Sequence, residues 1–199
     1  MTKPTYSVEA PHPFRQLVAD GMYLAARKHS IHGLVEVDLT EARHKIQLAS
    51  ETIGEQLSFT GFIAYCCARA VDEDKHLHAY LDWRGRLILF DDVDISLPVE
   101  RRQGQKSVVL QTVIRSANRK SIWDIHREIR ALQTKELTET AWGRWLRWYV
   151  FVPAFIRRLF FRIAARIPTI LKSFNGTVLV TAVGMFGTRA GWGVPLPGH

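Results

Sequence analysis

A strand-like run leads into a glycine turn near the end of the chain, and this feature most constrains the fold. The run Thr177–Ala182 is rich in β-branched residues, and Val183-Gly-Met-Phe-Gly187 follows it directly. β-Branched residues favour strands, and glycine permits the backbone dihedrals of tight turns. The pattern predicts a late strand that ends in a turn.

Upstream, helical and strand-like periodicities alternate. Apolar residues at three-to-four spacing predict helices, over Phe14–His29, from Thr40 to about residue 49, Ser58–Glu73 and Ser121–Lys135. Short β-branched runs predict strands, over Ile31–Leu39, Leu77–Trp83, Arg86–Phe90, Val93–Val99 and Ser107–Ile114, with a polar loop at Arg101–Lys106. Thr40 and Ser58 are predicted N-caps, and Ser121 with Asp124 has capping-box spacing. This order predicts an α+β fold, a two-layer sandwich of a mixed sheet with helices on one face.

Length and cysteine content fit an intracellular domain. The 199 residues suit one domain. The two cysteines, Cys66 and Cys67, are adjacent and cannot form a disulfide framework. Their apolar helical surroundings predict buried, inert thiols. The polar segment Met1–Pro13 lacks the apolar core of a signal peptide, so we expect a cytoplasmic protein.

The net charge of +8 is concentrated in one segment. Residues 141–172 contain seven Arg or Lys residues and no acid, and the rest of the chain carries 20 basic and 19 acidic residues. A nearly neutral remainder argues against a nucleic-acid-binding surface on the fold itself.

Several segments resemble the catalytic domain of the acyltransferases of 2-oxo-acid dehydrogenase complexes. Ile114-Arg-Ser-Ala-Asn-Arg-Lys-Ser121 resembles the family signature Ile-Arg-Asp-Ala-Asp-Arg-Lys-Ser, with Ser116 and Asn118 at its acidic positions. The segment Leu57–Ala64, the hairpin from His78 to Phe90 and the Val183–Gly187 turn match in the same order. The resemblance spans Phe14–Gly187 apart from residues 138–175, and it implies the fold of dihydrolipoamide acyltransferases and chloramphenicol acetyltransferase.

The resemblance implies acyl transfer between coenzyme A and a thiol or other acceptor. Coenzyme A would be a substrate, with no bound cofactor, and the family assembles its site between subunits of a homotrimer. Thr181 falls where the family carries the hydroxyl that stabilises the oxyanion. Without the resemblance, its residue type favours a simple strand-forming β-branched residue.

The catalytic base of the family is missing from this sequence. None of the eight histidines is followed by x-x-x-Asp-Gly, the context of the family's base. We therefore expect residues 1–199 to form a single, C-terminally incomplete acyltransferase domain that is inactive as it stands. The alternative is a non-enzymatic scaffold or membrane-surface protein that keeps the fold, so the sequence leaves enzyme activity undecided.

The remaining histidines give no metal site. His76 and His78 would share one face of a strand, but no third ligand accompanies them.

A basic, aromatic insert occupies residues 138–175. Trp142, Trp145 and Trp148 recur every three residues, and Arg158, Arg162 and Arg166 every four. At helical spacing each set forms a stripe, which predicts a helical hairpin divided near Pro153 and weakened at its end by Pro168. The longest uncharged run is too short to span a bilayer. Peripheral membrane contact through residues 141–172 and packing against a partner or the domain itself remain alternatives.

Overall fold

The computed structural model describes residues 7, 13–25, 29–103, 106–134, 149 and 151–182. The turn Val183–Gly187 and the residues Trp142, Trp145 and Trp148 lie outside these ranges. The chain divides into two compact units. The small unit comprises residues 1–30, 139–163 and 195–199, and the sheet unit comprises residues 31–138 and 164–194.

The described helices and strands follow the predicted order, except that no described strand lies between the first two helices. The helices are α1 (Pro13–Ala25), α2 (Thr40–Ile53), α3 (Phe59–Glu73), α4 (Ile122–Thr134), α5 (Ala154–Ala164) and α6 (Pro168–Asn175). Short 3₁₀ turns occupy Lys75–His78 and Ala117–Arg119. The strands are β1 (Tyr80–Leu81), β2 (Leu87–Ile88), β3 (Ile95–Gln103), β4 (Lys106–Ile114) and β5 (Val178–Leu179).

The sheet of the sheet unit is mixed, as predicted. Its strand order is β4-β3-β5, with β3 antiparallel to β4 and parallel to β5. Ile95 pairs with Ile114 at one end of the β3–β4 ladder, and Ile95 also pairs with Val178 of β5. β1 and β2 form a separate antiparallel hairpin. The fold class is therefore α+β, as expected.

Helices α3 and α4 pack with β3 and β4 around one hydrophobic core. Its fully buried members include Ala64, Ile95, Ile114 and Ile125. Alternate residues Ile95, Leu97 and Val99 all point inward because a strand presents every second side chain to one face. Buried His126 links the two helices: its Nδ1 accepts a hydrogen bond from the Ser58 amide at 2.9 Å.

The predicted helix starts at Ser58 and Ser121 are confirmed. The Ser58 hydroxyl accepts a hydrogen bond from the Gly61 amide and caps α3. In α4 the capping box forms in both directions, since Ser121 Oγ accepts from the Asp124 amide and Asp124 Oδ2 accepts from the Ser121 amide. In both helices a side chain within three residues satisfies an amide at the helix start.

The predicted cap at Thr40 is wrong. Thr40 is the first residue of α2, and its amide and hydroxyl both donate to Asp38 Oδ1, at 2.9 and 2.7 Å. These bonds hold the pKa of Asp38 below its ordinary value. An aspartate two residues upstream has replaced the expected threonine as the capping acceptor.

One predicted strand and one predicted loop are wrong. Residues 31–39 form no strand, and Ile31–Asp38 are exposed, with Val35 at 78%. Strand propensity needs a pairing partner, and no described strand pairs with this segment. The predicted polar loop Arg101–Lys106 is also wrong, because β3 continues through Gln103 and β4 starts at Lys106.

The hairpin at Trp83–Arg86 forms as predicted, but its strands are shorter. Residues Lys75–His78 turn in a 3₁₀ helix instead of extending the first strand. Gly85 adopts φ = 76° in the turn, a conformation that favours glycine.

The described part of the insert contains the two helices α5 and α6. Pro153 immediately precedes α5, as predicted for the second helix of the hairpin, whereas the predicted first helix lies largely outside the described residues. Pro168 stands at the first position of α6 instead of weakening the end of α5. Proline suits this position because the first helical amide needs no intrahelical acceptor.

Candidate functional site

The entry to β5 anchors the segment that leads to Thr181. Gly176, with φ = 69°, connects α6 to β5, and a Cβ atom there would lie 2.7 Å from the Asp94 carbonyl oxygen. The amides of Thr177 and Val178 both donate to this oxygen, at 2.7 and 3.1 Å. The Val180 amide then donates to the Ser96 carbonyl at 2.9 Å. The chain is thus held against β3 from Thr177 to Val180.

Asp94 is the centre of this arrangement. The side chain is buried, and its Oδ1 accepts a hydrogen bond from the Ser116 amide at 2.8 Å. Its Oδ2 accepts from Arg115 Nη1 at 2.9 Å and lies 3.9 Å from Lys172 Nζ. A buried carboxylate requires such partners, since an uncompensated charge is strongly disfavoured inside a protein.

Arg115 and Lys172 extend the network to α6. Arg115 Nη1 also donates to the Lys172 carbonyl at 2.9 Å, and Nη2 donates to the Ser173 carbonyl. A cation at these carbonyls interacts favourably with the C-terminal end of α6, where the Lys172 carbonyl also accepts from the Gly176 amide at 3.0 Å. Lys172 Nζ donates to the Asp92 carbonyl at 2.9 Å and lies 4.6 Å from the centre of the Phe90 ring.

Thr181 itself is exposed. It follows β5 by two residues, immediately after the last amide held by β3. Thr181 is therefore accessible from solvent, and the backbone directly before it is anchored to β3.

The two departures from the family signature fit their surroundings. Asn118 Nδ2 donates to Asp72 Oδ1 at 2.7 Å, while Asn118 Oδ1 accepts from the Val93 amide. Ser116 Oγ donates to Asp92 Oδ2 at 3.1 Å. Each side chain donates to a carboxylate, which an ionised aspartate at the same position cannot do.

The predicted histidine pair does not share a face. His76 is exposed, whereas His78 is buried, with Nε2 3.1 Å from the Phe90 carbonyl oxygen. Burial lowers the pKa of His78, and the hydrogen bond with the Phe90 carbonyl opposes that shift. Within the described ranges, no three His, Cys, Asp or Glu side chains are grouped to hold a metal ion.

The prediction of two buried thiols is wrong for Cys66. Cys66 is exposed and Cys67 is half-buried on α3. Adjacent helical residues point about 100° apart, so both cannot face the same core. Partial burial nevertheless raises the pKa of both thiols, which disfavours the thiolate.

The arginine stripe is shorter than predicted. Arg158 and Arg162 lie on α5, but the helix ends at Ala164, and Arg166 lies in the following turn. Arg158 Nε donates to Asp20 Oδ1 at 3.3 Å, and its guanidinium lies 4.3 Å from the Tyr23 ring centre. No helix in the described part of the chain is long and apolar enough to cross a membrane.

Sequence reasoning missed Asp94, Arg115 and Asp20. A usable signal existed for the first pair, because an acidic run, Asp91-Asp-Val-Asp94, precedes β3 and Arg115 follows β4. Antiparallel pairing brings these ends together. Asp20 is an isolated acid among the apolar positions of α1, a pattern that indicates a buried partner.

A model of the 2-oxoacid dehydrogenases acyltransferase (catalytic domain) family matches residues 3–141, well over half of the chain. The chain belongs to this family. The match includes α1 to α4 and β1 to β4, whereas Thr181 and the insert helices lie beyond it. Among curated proteins, no sequence match is found.

Solved acyltransferase structures share the fold. A probable dihydrolipoamide acetyltransferase from Listeria monocytogenes is 20% identical and has a TM-score of 0.62, with 99% of this chain and 72% of that chain covered. The Azotobacter vinelandii dihydrolipoamide acetyltransferase, studied for the catalytic roles of a serine, a histidine and an asparagine, is 17% identical, with a TM-score of 0.62. That alignment covers 97% of this chain and 69% of that chain. The cubic core of a pyruvate dehydrogenase complex aligns at 17% identity and a TM-score of 0.61, with 97% and 69% covered.

Proposed function

We propose that this chain is an acyltransferase core that moves an acyl group between coenzyme A and a thiol or another acceptor. Family membership and the shared fold support this function. The observation that most supports this function is that Thr181 is exposed and follows a strand whose entry is anchored by Asp94. Coenzyme A is a substrate in this proposal, and no bound cofactor is required.

The chemistry needs an oxyanion donor and a base. An acceptor thiolate attacks the thioester carbonyl of acyl-CoA and forms a new carbon–sulfur bond. The Thr181 hydroxyl donates to the oxygen that becomes negative. Collapse of the intermediate breaks the bond to coenzyme A, whose thiolate takes up the proton that a base removed from the acceptor.

The general base of this reaction is the group that we do not assign to any residue of this sequence. No histidine precedes x-x-x-Asp-Gly, so we propose that residues 1–199 by themselves catalyse transfer weakly. Loss of a general base slows such reactions by about 10²–10⁴-fold. The multimeric core among the similar structures supports a homotrimeric assembly, and we propose a cytoplasmic location.

An imidazole-rescue assay tests this function. Purified protein is mixed with acetyl-CoA and dihydrolipoamide, and acetyl-dihydrolipoamide is measured with and without added imidazole. We expect saturable coenzyme A binding and a slow transfer that imidazole accelerates above its effect on the reaction without protein. Transfer no faster than without protein, at every imidazole concentration, would reject the function. Rapid transfer at a rate that imidazole does not change would contradict the proposal that residues 1–199 lack a catalytic base.

A second candidate is a non-enzymatic protein that uses the fold as a scaffold. The exposed apolar residues of α5 favour this second candidate, because acyl transfer does not require an exposed apolar surface there. The same assay separates the two, since a scaffold neither binds coenzyme A saturably nor responds to imidazole. Sedimentation velocity tests the trimer independently of either function.

A further inference from the structure

Helix α5 turns an apolar face outward. Phe155 is 71% exposed and Phe160 is 61% exposed. Ile156, Leu159 and Ile163 on the same side are also exposed. These five residues lie at helical spacings of one, three and four, and so form one continuous face. Such an exposed apolar face is a candidate contact surface.

A buried polar cluster fixes this orientation. Asp20 Oδ2 accepts hydrogen bonds from the Tyr149 hydroxyl and from Arg157 Nε, each at 2.8 Å. Arg157 Nη1 donates to Gln16 Oε1 at 3.0 Å, and its guanidinium lies 4.8 Å from the Tyr149 ring centre. A rotation of α5 that buried Phe155 would expose or unpair these groups. The contact between α1 and α5 is therefore made by charged and polar side chains, and the apolar face of α5 is exposed.

Positive charge borders the apolar face. Arg158 and Arg162 lie one turn apart along one side of it, and they line an open groove of about 610 Å³ together with Tyr23, Phe155 and Leu159. Residues 141–172 contain no acid, and three tryptophans precede α5 in the sequence. An apolar face bordered by arginines matches the interface of a bilayer that contains anionic lipid.

We propose that α5 docks flat on an anionic membrane surface through Phe155, Leu159, Phe160 and Ile163, with Arg162 at the lipid phosphates. The charge argues for lipid over a second copy of this chain, because a second copy would present the same arginines to one another. Asp20 is a positioning residue in this proposal: it keeps Arg157 inward and the apolar face outward. The proposal does not depend on acyl transfer.

Vesicle co-sedimentation tests the proposal directly. The protein is mixed with phosphatidylcholine vesicles, with or without about 30% phosphatidylserine, and the bound fraction is measured at about 0.1 and about 0.5 M NaCl. We expect binding to the anionic vesicles that weakens at the higher salt. The double variant Phe155→Ser/Phe160→Ser should bind at least about tenfold more weakly. Arg162→Gln should lose several-fold affinity for the anionic vesicles.

Two matched variants control for general changes in polarity. Trp83→Ser removes an aromatic side chain of similar exposure, 68%, from the β1–β2 turn, and Arg130→Gln removes an exposed arginine from α4. Both should bind like the unaltered protein. Circular dichroism establishes that each variant is folded.

Two results would overturn the proposal. The first is an absence of binding to anionic vesicles, and the second is equal binding by the double variant and the Trp83→Ser control. If the protein does not bind vesicles and dissociates to a smaller species when Phe155 and Phe160 are replaced, the face is instead a contact between copies of this chain.

Discussion

Arg115 Nη1 donates to Asp94 Oδ2 at 2.9 Å, and this contact closes the open end of the β3–β4 hairpin. Asp94 directly precedes β3, and Arg115 directly follows β4. The same arginine nitrogen donates to the Lys172 carbonyl near the end of α6. The pair therefore connects the hairpin to the segment that leads into β5 and Thr181.

Asp94→Asn should destabilise the sheet unit markedly. The substitution leaves Arg115 and Lys172 without their anionic partner. The asparagine Oδ1 can still accept from the Ser116 amide, but its NH2 group then faces the two cations in place of Oδ2. Because Arg115 is partly exposed, we expect a loss of about 1–3 kcal/mol in the free energy of unfolding. Urea denaturation measures it.

The control for this prediction is Glu128→Gln. It removes the partner of Lys120, a carboxylate that is 33% exposed whereas that of Asp94 is 4% exposed, and we expect a loss below about 1 kcal/mol. Equal losses in the two variants would show that Asp94 has no special structural role.

Gly176→Ala should cost more stability than Gly85→Ala. Both glycines have positive φ, at 69° and 76°. A Cβ at Gly176 meets the Asp94 carbonyl oxygen at 2.7 Å, whereas nothing lies within 4 Å of a Cβ at Gly85. We expect a loss of about 1 kcal/mol from strain at Gly85 and a clearly larger one at Gly176. Indistinguishable unfolding curves for the two variants would contradict the close approach.

His78 should make the protein less stable in mild acid. Burial lowers the pKa of His78 in the folded state, so the unfolded state binds the proton first as the pH falls. Stability from His78 is therefore complete above the ordinary histidine pKa and is lost as the pH falls through the lowered one.

His78→Gln isolates this effect, because glutamine can still donate to the Phe90 carbonyl but does not titrate. Urea unfolding at about pH 7.5 and about pH 5.5 should show a smaller acid-induced loss for the variant. Parallel losses in both proteins would mean that protonation of His78 is not the cause.

Sequence reasoning succeeded where structure depends on nearby residues. The Ser58 cap and the Ser121–Asp124 box are complete within three residues, and both form. It failed for residues 31–39, because a strand also needs a partner that composition does not supply. The order of strands and helices was still sufficient to predict the fold class.

The site was harder to predict because its contacts join distant parts of the chain. Asp94 and Arg115 are separated by 21 positions, and Asp94 and Thr177 by 83. Periodicity reports which face of an element is apolar but does not report which buried carboxylate meets which cation. Thr181 was predicted only through the family resemblance.

Thiol labelling tests the different exposure of Cys66 and Cys67 on α3. An aromatic disulfide reagent should modify exposed Cys66 in the folded protein and half-buried Cys67 mainly after unfolding. The first reaction should be slow near neutral pH, because burial raises the pKa of the thiol. Cys66→Ser should abolish the early phase; an unchanged early phase would place the accessible thiol elsewhere.

Comparison of Thr181→Val with Thr181→Ser in the imidazole-assisted acetyl transfer tests whether the Thr181 hydroxyl stabilises the oxyanion. Valine keeps the branched shape and removes the hydroxyl, whereas serine keeps the hydroxyl. Thr181→Val should lower the transfer rate by about 10²–10³-fold or to the rate without protein, with coenzyme A binding unchanged. Thr181→Ser should retain most of the activity. Equal rates for the valine and serine variants, both above the reaction without protein, would contradict the role of Thr181 as the oxyanion donor.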